Sequence, residues 1–339
     1  MGETPVVVAA SRAPLDSDPE LIRAVPLKHY GRWVGAVVTI LIAALVVRLF
    51  VVTPNINWPK VGSYLTTEQI LLGLELTIIL TIVGMVIGVV LGVVVAVMHL
   101  SVNPVLRTIS WFFIWIFRGT PLLIQILFWF NIALILPSVG IGIPFTDWWV
   151  SSNTNTLVTA FVAAAVALGL NEAAYMSEIV RAGILVIDPG QTEAGLAVGM
   201  KRKLMFRVVI LPQAMRAIIP PTGNELIGLL KNTSLVSVIA AQELLTKAQN
   251  IYARNLLVVE LLFVAAIWYL FVTSLLMWGQ YYVERHFARG STNRPLPLTP
   301  FQKLRMRFRR WFPEKTRATD QPGPALSQAD VREAKGSAA

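Results

Sequence analysis

The sequence predicts an all-α, polytopic membrane protein with about six transmembrane helices, and three observations lead there. Of 339 residues, 55% are hydrophobic and 14% are charged, a balance suited to a chain whose solvent is lipid. Apolar runs of about 20 residues or more, enough to cross ~30 Å of hydrocarbon at ~1.5 Å per residue, fall near 34–53, 70–98, 119–136, 157–182, 218–240 and 258–282. The basic residues alternate between connections. Arg12, Arg23, Lys28 and Arg32 precede the first run, Arg107 follows the second, and Lys201, Arg202, Lys203, Arg207 and Arg216 separate the fourth from the fifth. The tail from Arg285 to Lys335 is also basic, whereas the intervening connections carry only Lys60, Lys247 and Arg254. The positive-inside rule therefore assigns both termini and the 188–216 loop to the cytoplasm. The net charge of +10 then belongs to the anionic inner leaflet and not to nucleic acid, for which no folded domain exists.

Residues 1–33 contain four prolines and no apolar period, which reads as a flexible cytoplasmic tail. The run at 34–53 is too long, and lacks the small-residue cleavage site, to be a signal peptide, so it is expected to be an additional N-terminal span. Arg48 near its outer end can snorkel to the interface. In the second run Gly84, Gly88 and Gly92 stand four apart and give one thin stripe suited to close helix packing. Residues 104–136 are apolar but far too long for one straight crossing, so the chain must bend. The expected place is Arg118-Gly119-Thr120-Pro121, with Thr120 capping and Pro121 in the first turn of a new helix.

The fourth run carries Asn171, Glu172, Tyr175, Glu178 and Arg181. An ionisable group at membrane depth costs ~2.5–3.5 kcal/mol on insertion scales, so it normally faces protein or water and often marks a transport path. Glu178 and Arg181 are three apart and can neutralise each other, whereas Glu172 has no local partner. The fifth run is expected to open after Pro220-Pro221; Asn224, Glu225 and Lys231 follow. Glu225 and Lys231 are too far apart on one helix for direct contact, so each needs another span, a second copy of the chain, or water. Trp278, Tyr281 and Tyr282 form an aromatic belt at the end of the sixth run. In the 285–339 tail, residues 301–312 place Phe301, Leu304, Phe308 and Trp311 at near-helical spacing among five basic residues, an amphipathic stretch suited to the inner leaflet and membrane lipid.

The most polar internal stretch is DPGQTEAGLAVGMKRKLMFRVVILPQA, beginning at Asp188. Asp188-Pro189 is a helix start, and a helix is expected over about 189–203. Ala194, Gly195, Ala197 and Gly199 leave much of its surface nearly without side chains. Glu193, Ala194, Gly195, Gly199, Leu211 and Pro212 fall at the spacing of the EAA loop of ABC-transporter permeases, which the stretch resembles. Gly195 stands for the second Ala of that motif and Val209 for its Ile. FRGTPLLIQ (Phe117 to Gln125), AAYMSEIVRAGI (Ala173 to Ile184) and Lys231-Asn232-Thr233-Ser234-Leu235 are similar to further segments of the same family's polar amino acid branch.

The resemblance covers about 70–284 and implies a type I ABC importer permease core with an extra N-terminal span. It implies a coupling helix gripped by one of two ATPase subunits, a second permease copy or paralogue, and an extracytoplasmic amino-acid-binding protein, in a bacterial cytoplasmic membrane. ATP and Mg would belong to those ATPases, since this chain has no GxxxxGK[ST] loop, no cysteine and only three scattered histidines. It has no catalytic or metal-binding residues to offer. The substrate would be a polar or charged amino acid, met by some of Arg118, Thr120, Glu172, Asn224, Glu225 and Lys231. Glu172 suits an ammonium; Lys231 or the helix start at Thr120 suits a carboxylate, although Lys231 can equally pair with a carboxylate of its own chain. An ion-coupled secondary transporter and a purely structural membrane subunit are the alternatives.

Overall fold

The computed structural model describes residues 30–54, 56–142, 149–288 and Met306. The amphipathic stretch expected over 301–312 lies outside the described residues, Met306 apart. The chain divides into two units after Asn57. In the first, α1 (Tyr30–Val52) is a single long apolar helix with exposed side chains along its length. The second holds α2 (Trp58–Leu65), α3 (Glu68–His99), α4 (Pro104–Gly119), α5 (Leu122–Phe130) and the short α6 (Thr154–Leu157). These are followed by α7 (Ala160–Leu185), α8 (Pro189–Ala197), α9 (Arg202–Met205), α10 (Leu211–Asn232), α11 (Leu244–Asn255) and α12 (Val258–Ala288). Among the described residues five helices are long and apolar enough to cross a membrane, and six spans result if the bent pair α4–α5 is one. An antiparallel hairpin, β1 (Ser138–Gly142) and β2 (Trp149–Asn153), occupies part of the connection between α5 and α7.

Helix starts follow the local chemistry. Asn103 Oδ1 accepts from Val105 N before Pro104 opens α4, Thr159 Oγ1 accepts from Val162 N at α7, and Asp188 Oδ1 accepts from Gly190 N at α8. The core is the contact of α3 with α7. A Cβ at Gly88 would stand 2.4 Å from Glu172 Cγ, and one at Gly92 would stand 2.6 Å from Met176 Cβ. The glycine stripe is therefore the groove into which Glu172 and Met176 lie, four residues apart on α7. Alanines Ala163, Ala164, Ala167, Ala173 and Ala174 keep α7 thin enough for most of it to be buried between its neighbours.

The far end of this pair is locked to α11 and α12 by Glu243. Its carboxylate caps α11 by accepting from Leu245 N (2.8 Å) and Thr246 N (2.7 Å), and it also accepts from Tyr269 Oη of α12 (2.8 Å). Thr77 Oγ1 of α3 accepts from Leu244 N at 3.1 Å. A fully buried carboxylate thus ends with every oxygen partnered, the condition for tolerating it.

Three boundaries differ from expectation. The run at 119–136 is not one crossing helix: α5 ends at Phe130 and reaches span length only together with α4, because the apolar stretch is broken at Thr120-Pro121. Pro220 and Pro221 do not open the fifth span; they lie inside α10, which runs on from Leu211. The two prolines withhold the N–H groups that would donate one turn back to the carbonyls of Arg216 and Ala217, while side chains add donors to neighbouring carbonyls of the same turns. Thr222 Oγ1 donates to Ile218 O (2.8 Å) and Gln280 Nε2 of α12 donates to Pro220 O (2.7 Å), in space that Gly223 leaves open. The helix expected over 189–203 ends at Ala197, because Gly199 adopts φ +79° and the N–H groups of Val198, Gly199 and Met200 turn back onto Ala194, Leu196 and Gly195.

The glycine groove makes a sharp expectation. Gly88→Leu forces side-chain atoms into Glu172 and should cost upwards of about 1–3 kcal/mol by overpacking, lowering the yield and thermal midpoint of detergent-purified protein. Val90→Leu, two residues on and 57% exposed, should leave both unchanged.

Candidate functional site

The bend expected at residues 118–121 is present, and α4 and α5 meet there at 104°. Thr120 acts differently from expectation: it closes the preceding helix, with its Oγ1 donating to Ile116 O at 2.8 Å and its N–H to the same carbonyl. Leu122 begins α5 two residues later, and Pro121 lies between them with extended backbone. The opened backbone forms one wall of a cavity of about 390 Å³. Arg118, Gly119, Thr120, Pro121 and Leu122 line that wall; Asn171, Glu172 and Tyr175 of α7, Glu225 and Asn232 of α10, and Leu235 complete it.

Of the path residues singled out in sequence, Arg118, Thr120, Glu172 and Glu225 share this cavity. Asn224 and Lys231 do not line it. Helical phase explains the split. Glu225 and Asn232 are seven apart, two turns along one face, while Asn224 and Lys231 are each rotated ~100° away on the neighbouring face. Asn232, Asn171 and Tyr175 are the polar lining residues that were not expected as site members. The seven-residue spacing from Glu225 would have found Asn232.

Glu172 is 4% exposed, and its Oε1 has no hydrogen-bond partner among the described residues. Each burial of a carboxylate without donors is costly, so the group asks for a cation or donor to enter the cavity. Glu178, by contrast, is paired as expected: Arg181 Nη2 lies 2.9 Å from its Oε2. Arg118 stands at the rim, its Nη1 4.0 Å from Glu178 Oε2 and its guanidinium carbon 5.3 Å from the centre of the Tyr175 ring, a cation–π distance. Pairing Glu178 with Arg181 leaves two carboxyl groups, Glu172 and Glu225, against one cation, Arg118, around the space. A second hollow of about 370 Å³ adjoins it and shares Arg118, Gly119 and Tyr175, with Trp111, Ile114 and Trp115 on its other side. Among the described residues no group of three metal-ligating side chains occurs.

The polar loop presents a different surface. Gly195 is buried, its open side filled by Met205, where a Cβ would stand 2.6 Å from the sulfur. Glu193, Ala194, Leu196, Ala197 and Val198 are exposed. After α9 the chain passes through a π-helical turn, Phe206–Ile210, and continues through Leu211 and Pro212 into α10. The bare surface at Gly195 is thus covered by its own chain. Gly199 lies beyond the helix end with open space around it.

Comparison with known proteins agrees with this architecture. Residues 84–289 match the family described as binding-protein-dependent transport system inner membrane component. The chain is 44% identical over 277 residues to the arginine transport system permease protein ArgU of Corynebacterium glutamicum, covering 81% of this chain and 86% of that protein. It is 42% identical over 174 residues to the L-cystine transport system permease protein TcyB of Bacillus subtilis, covering 51% of this chain and 66% of that protein. Among solved structures it is similar to a chain of an amino acid ABC transporter crystallised with histidines, at 32% identity and TM-score 0.58, over 68% of this chain and 99% of that one. With the family's region spanning the glycine groove, the bent pair, the cavity and the polar loop, the chain belongs to the inner membrane components of binding-protein-dependent transport systems, the permease subunits of ABC importers.

Proposed function

We propose that this permease carries a cationic amino acid, of which arginine is the type, through the cavity between α5, α7 and α10. The observation that carries the reading is the buried, unpartnered Glu172 carboxyl in a space shared with Glu225 and Arg118. A cationic amino acid brings two positive groups and one carboxylate, and the cavity offers two carboxyl groups and one guanidinium. The similarity to an arginine transport permease supports the same substrate class.

In this reading both termini and the 188–216 loop are cytoplasmic, as the distribution of basic residues supports. The core from about 70 to 284 works beside a second permease copy or paralogue, and an extracytoplasmic binding protein delivers the amino acid. Two separate ATPase subunits bind Mg and ATP and grip α8. Its exposed face, with Ala194, Ala197, Leu196 and Val198 beside Glu193, is short-chained and apolar and suits a protein groove. Closure of the ATPases moves α8, and α10 is the covalent route from there to Glu225 and Asn232. Asn224 and Lys231 then act outside the cavity.

Two experiments test this. In the reconstituted transporter, Glu172→Gln and Glu225→Gln should assemble normally and lower arginine uptake roughly tenfold or more, the loss expected of a charge-assisted hydrogen bond, with uptake of a neutral amino acid less affected. Wild-type arginine uptake by both variants would remove the pair from the path. Ala194→Trp, on the exposed face of α8, should leave folding intact and cut transport-stimulated ATP hydrolysis, because the bulky ring holds the partner away. Unchanged stimulation would mean that the ATPase does not dock there.

A further inference from the structure

We propose that Gln125, together with Asn171, is the positioning device of the transport path, supplying the hydrogen-bond donors that Pro121 withholds and so fixing the angle of the broken helix. The inference rests on reading the Glu172 cavity as that path. In an uninterrupted helix the N–H of residue 121 would donate to the carbonyl of Phe117, but proline has no N–H to give. Phe117 O nevertheless has two donors. Gln125 Nε2 reaches it from the first turn of α5 at 2.9 Å, and Asn171 Nδ2 reaches it from α7 at 3.0 Å.

The same Gln125 nitrogen lies 2.8 Å from Thr120 Oγ1 and 3.1 Å from Thr120 O, and Asn171 Nδ2 lies 3.2 Å from Gln125 Oε1. An amide nitrogen has two hydrogens, so Gln125 shares them among the oxygens at the break, and no single partner owns it. Gln125 is 6% exposed and Asn171 8%, which leaves little water to stand in for either amide.

The clasp ties three pieces of the cavity wall together. Phe117 and Thr120 flank Arg118 on α4, Gln125 belongs to α5, and Asn171 is the residue immediately before Glu172. The direction in which α5 leaves α4, and with it the distance from Arg118 and Thr120 to Glu172, is therefore set from α7 through one carbonyl. Gln125 acts on the substrate through this geometry and does not line the cavity itself.

The absence of cysteine in the sequence makes the angle directly measurable. Spin labels on Val105→Cys of α4 and Phe128→Cys of α5, both exposed, should give one narrow distance distribution in the full permease assembled with its ATPase. Gln125→Met, which keeps volume and removes the donor, should broaden or shift that distribution and lower maximal arginine uptake about tenfold at unchanged complex yield. Gln125→His, which returns an N–H at similar reach, should recover most of both. Asn171→Leu should move both readouts in the same direction, and the double variant should be less severe than the product of the singles, because the two amides serve one carbonyl.

If Gln125→Met does not assemble, Asn171→Leu carries the same readouts with Gln125 in place. An unshifted distance, an uptake loss without a distance change, or strictly multiplicative effects would each overturn the proposal. A shifted distance in a transporter whose wild type takes up no arginine supports the clasp and removes the substrate reading instead.

Discussion

The contact between α3 and α7 is the constraint on which the rest of the structure depends. In lipid there is little hydrophobic drive to bring helices together, so association relies on close van der Waals fit and on polar groups finding partners. Gly84, Gly88 and Gly92 open a groove along α3, and the alanines of α7 let that helix sink between its neighbours. The consequence reaches beyond packing. Glu172 lies with its stem against Gly88, so the same contact that builds the core also fixes where the carboxyl emerges. A larger residue at Gly88 would have to displace a buried carboxyl group, not merely crowd an apolar one.

Around that contact the chain tolerates two breaks that an isolated helix could not. At Pro121 the ladder opens and the axis turns by 104°; at Pro220 and Pro221 it stays helical. The difference lies in what surrounds each site. At Pro220, Gln280 approaches from α12 and fills the space beside Gly223, holding the helix in line. At Pro121, Thr120 is already extended and Gln125 folds back from beyond the break, which stabilises the bent form. Backbone polar groups at membrane depth must be satisfied within the protein; at Pro121 Gln125 reaches the Phe117 carbonyl that the proline cannot serve, and at Pro220 Gln280 adds a donor to the proline's own carbonyl.

The polar loop and the cavity lie at opposite ends of one continuous stretch, from α8 through α9 and the π-helical turn into α10. Glu225 and Asn232 stand on the part of α10 beyond the prolines, and Leu211 and Pro212 on the part before them. Gly195 lies under Met205, so α8 is packed against the start of this stretch and does not hang from it as a free loop. A push on α8 would therefore load α10 through packed side chains as well as through the chain itself.

Much of this was legible in the sequence, and the reason is that it depended on spacing along a single segment. Apolar run length gave five of the spans but not the one expected at 119–136, the four-residue glycine repeat gave the groove, the excess length of 104–136 required a bend at Arg118 to Pro121, and the motif at Glu193 to Pro212 pointed to the permease family. Glu178 and Arg181, three apart, were paired as their spacing implied. What the tertiary structure alone decided was which faces meet. Lys231 and Asn232 are neighbours in sequence, yet only Asn232 joins the cavity, because the rotation of α10 is set by its packing against α7 and α12. Thr120 closes one helix where it was expected to open another, Gly195 serves an internal contact, and Gln125, an unremarked amide in an apolar run, holds the bend. Thr120 bonds Ile116, Gly195 meets Met205 and Gln125 reaches Phe117, all within ten residues, but each contact depends on a turn or break of the backbone that apolar spacing does not encode, and Asn171 joins the last from a helix far along the chain.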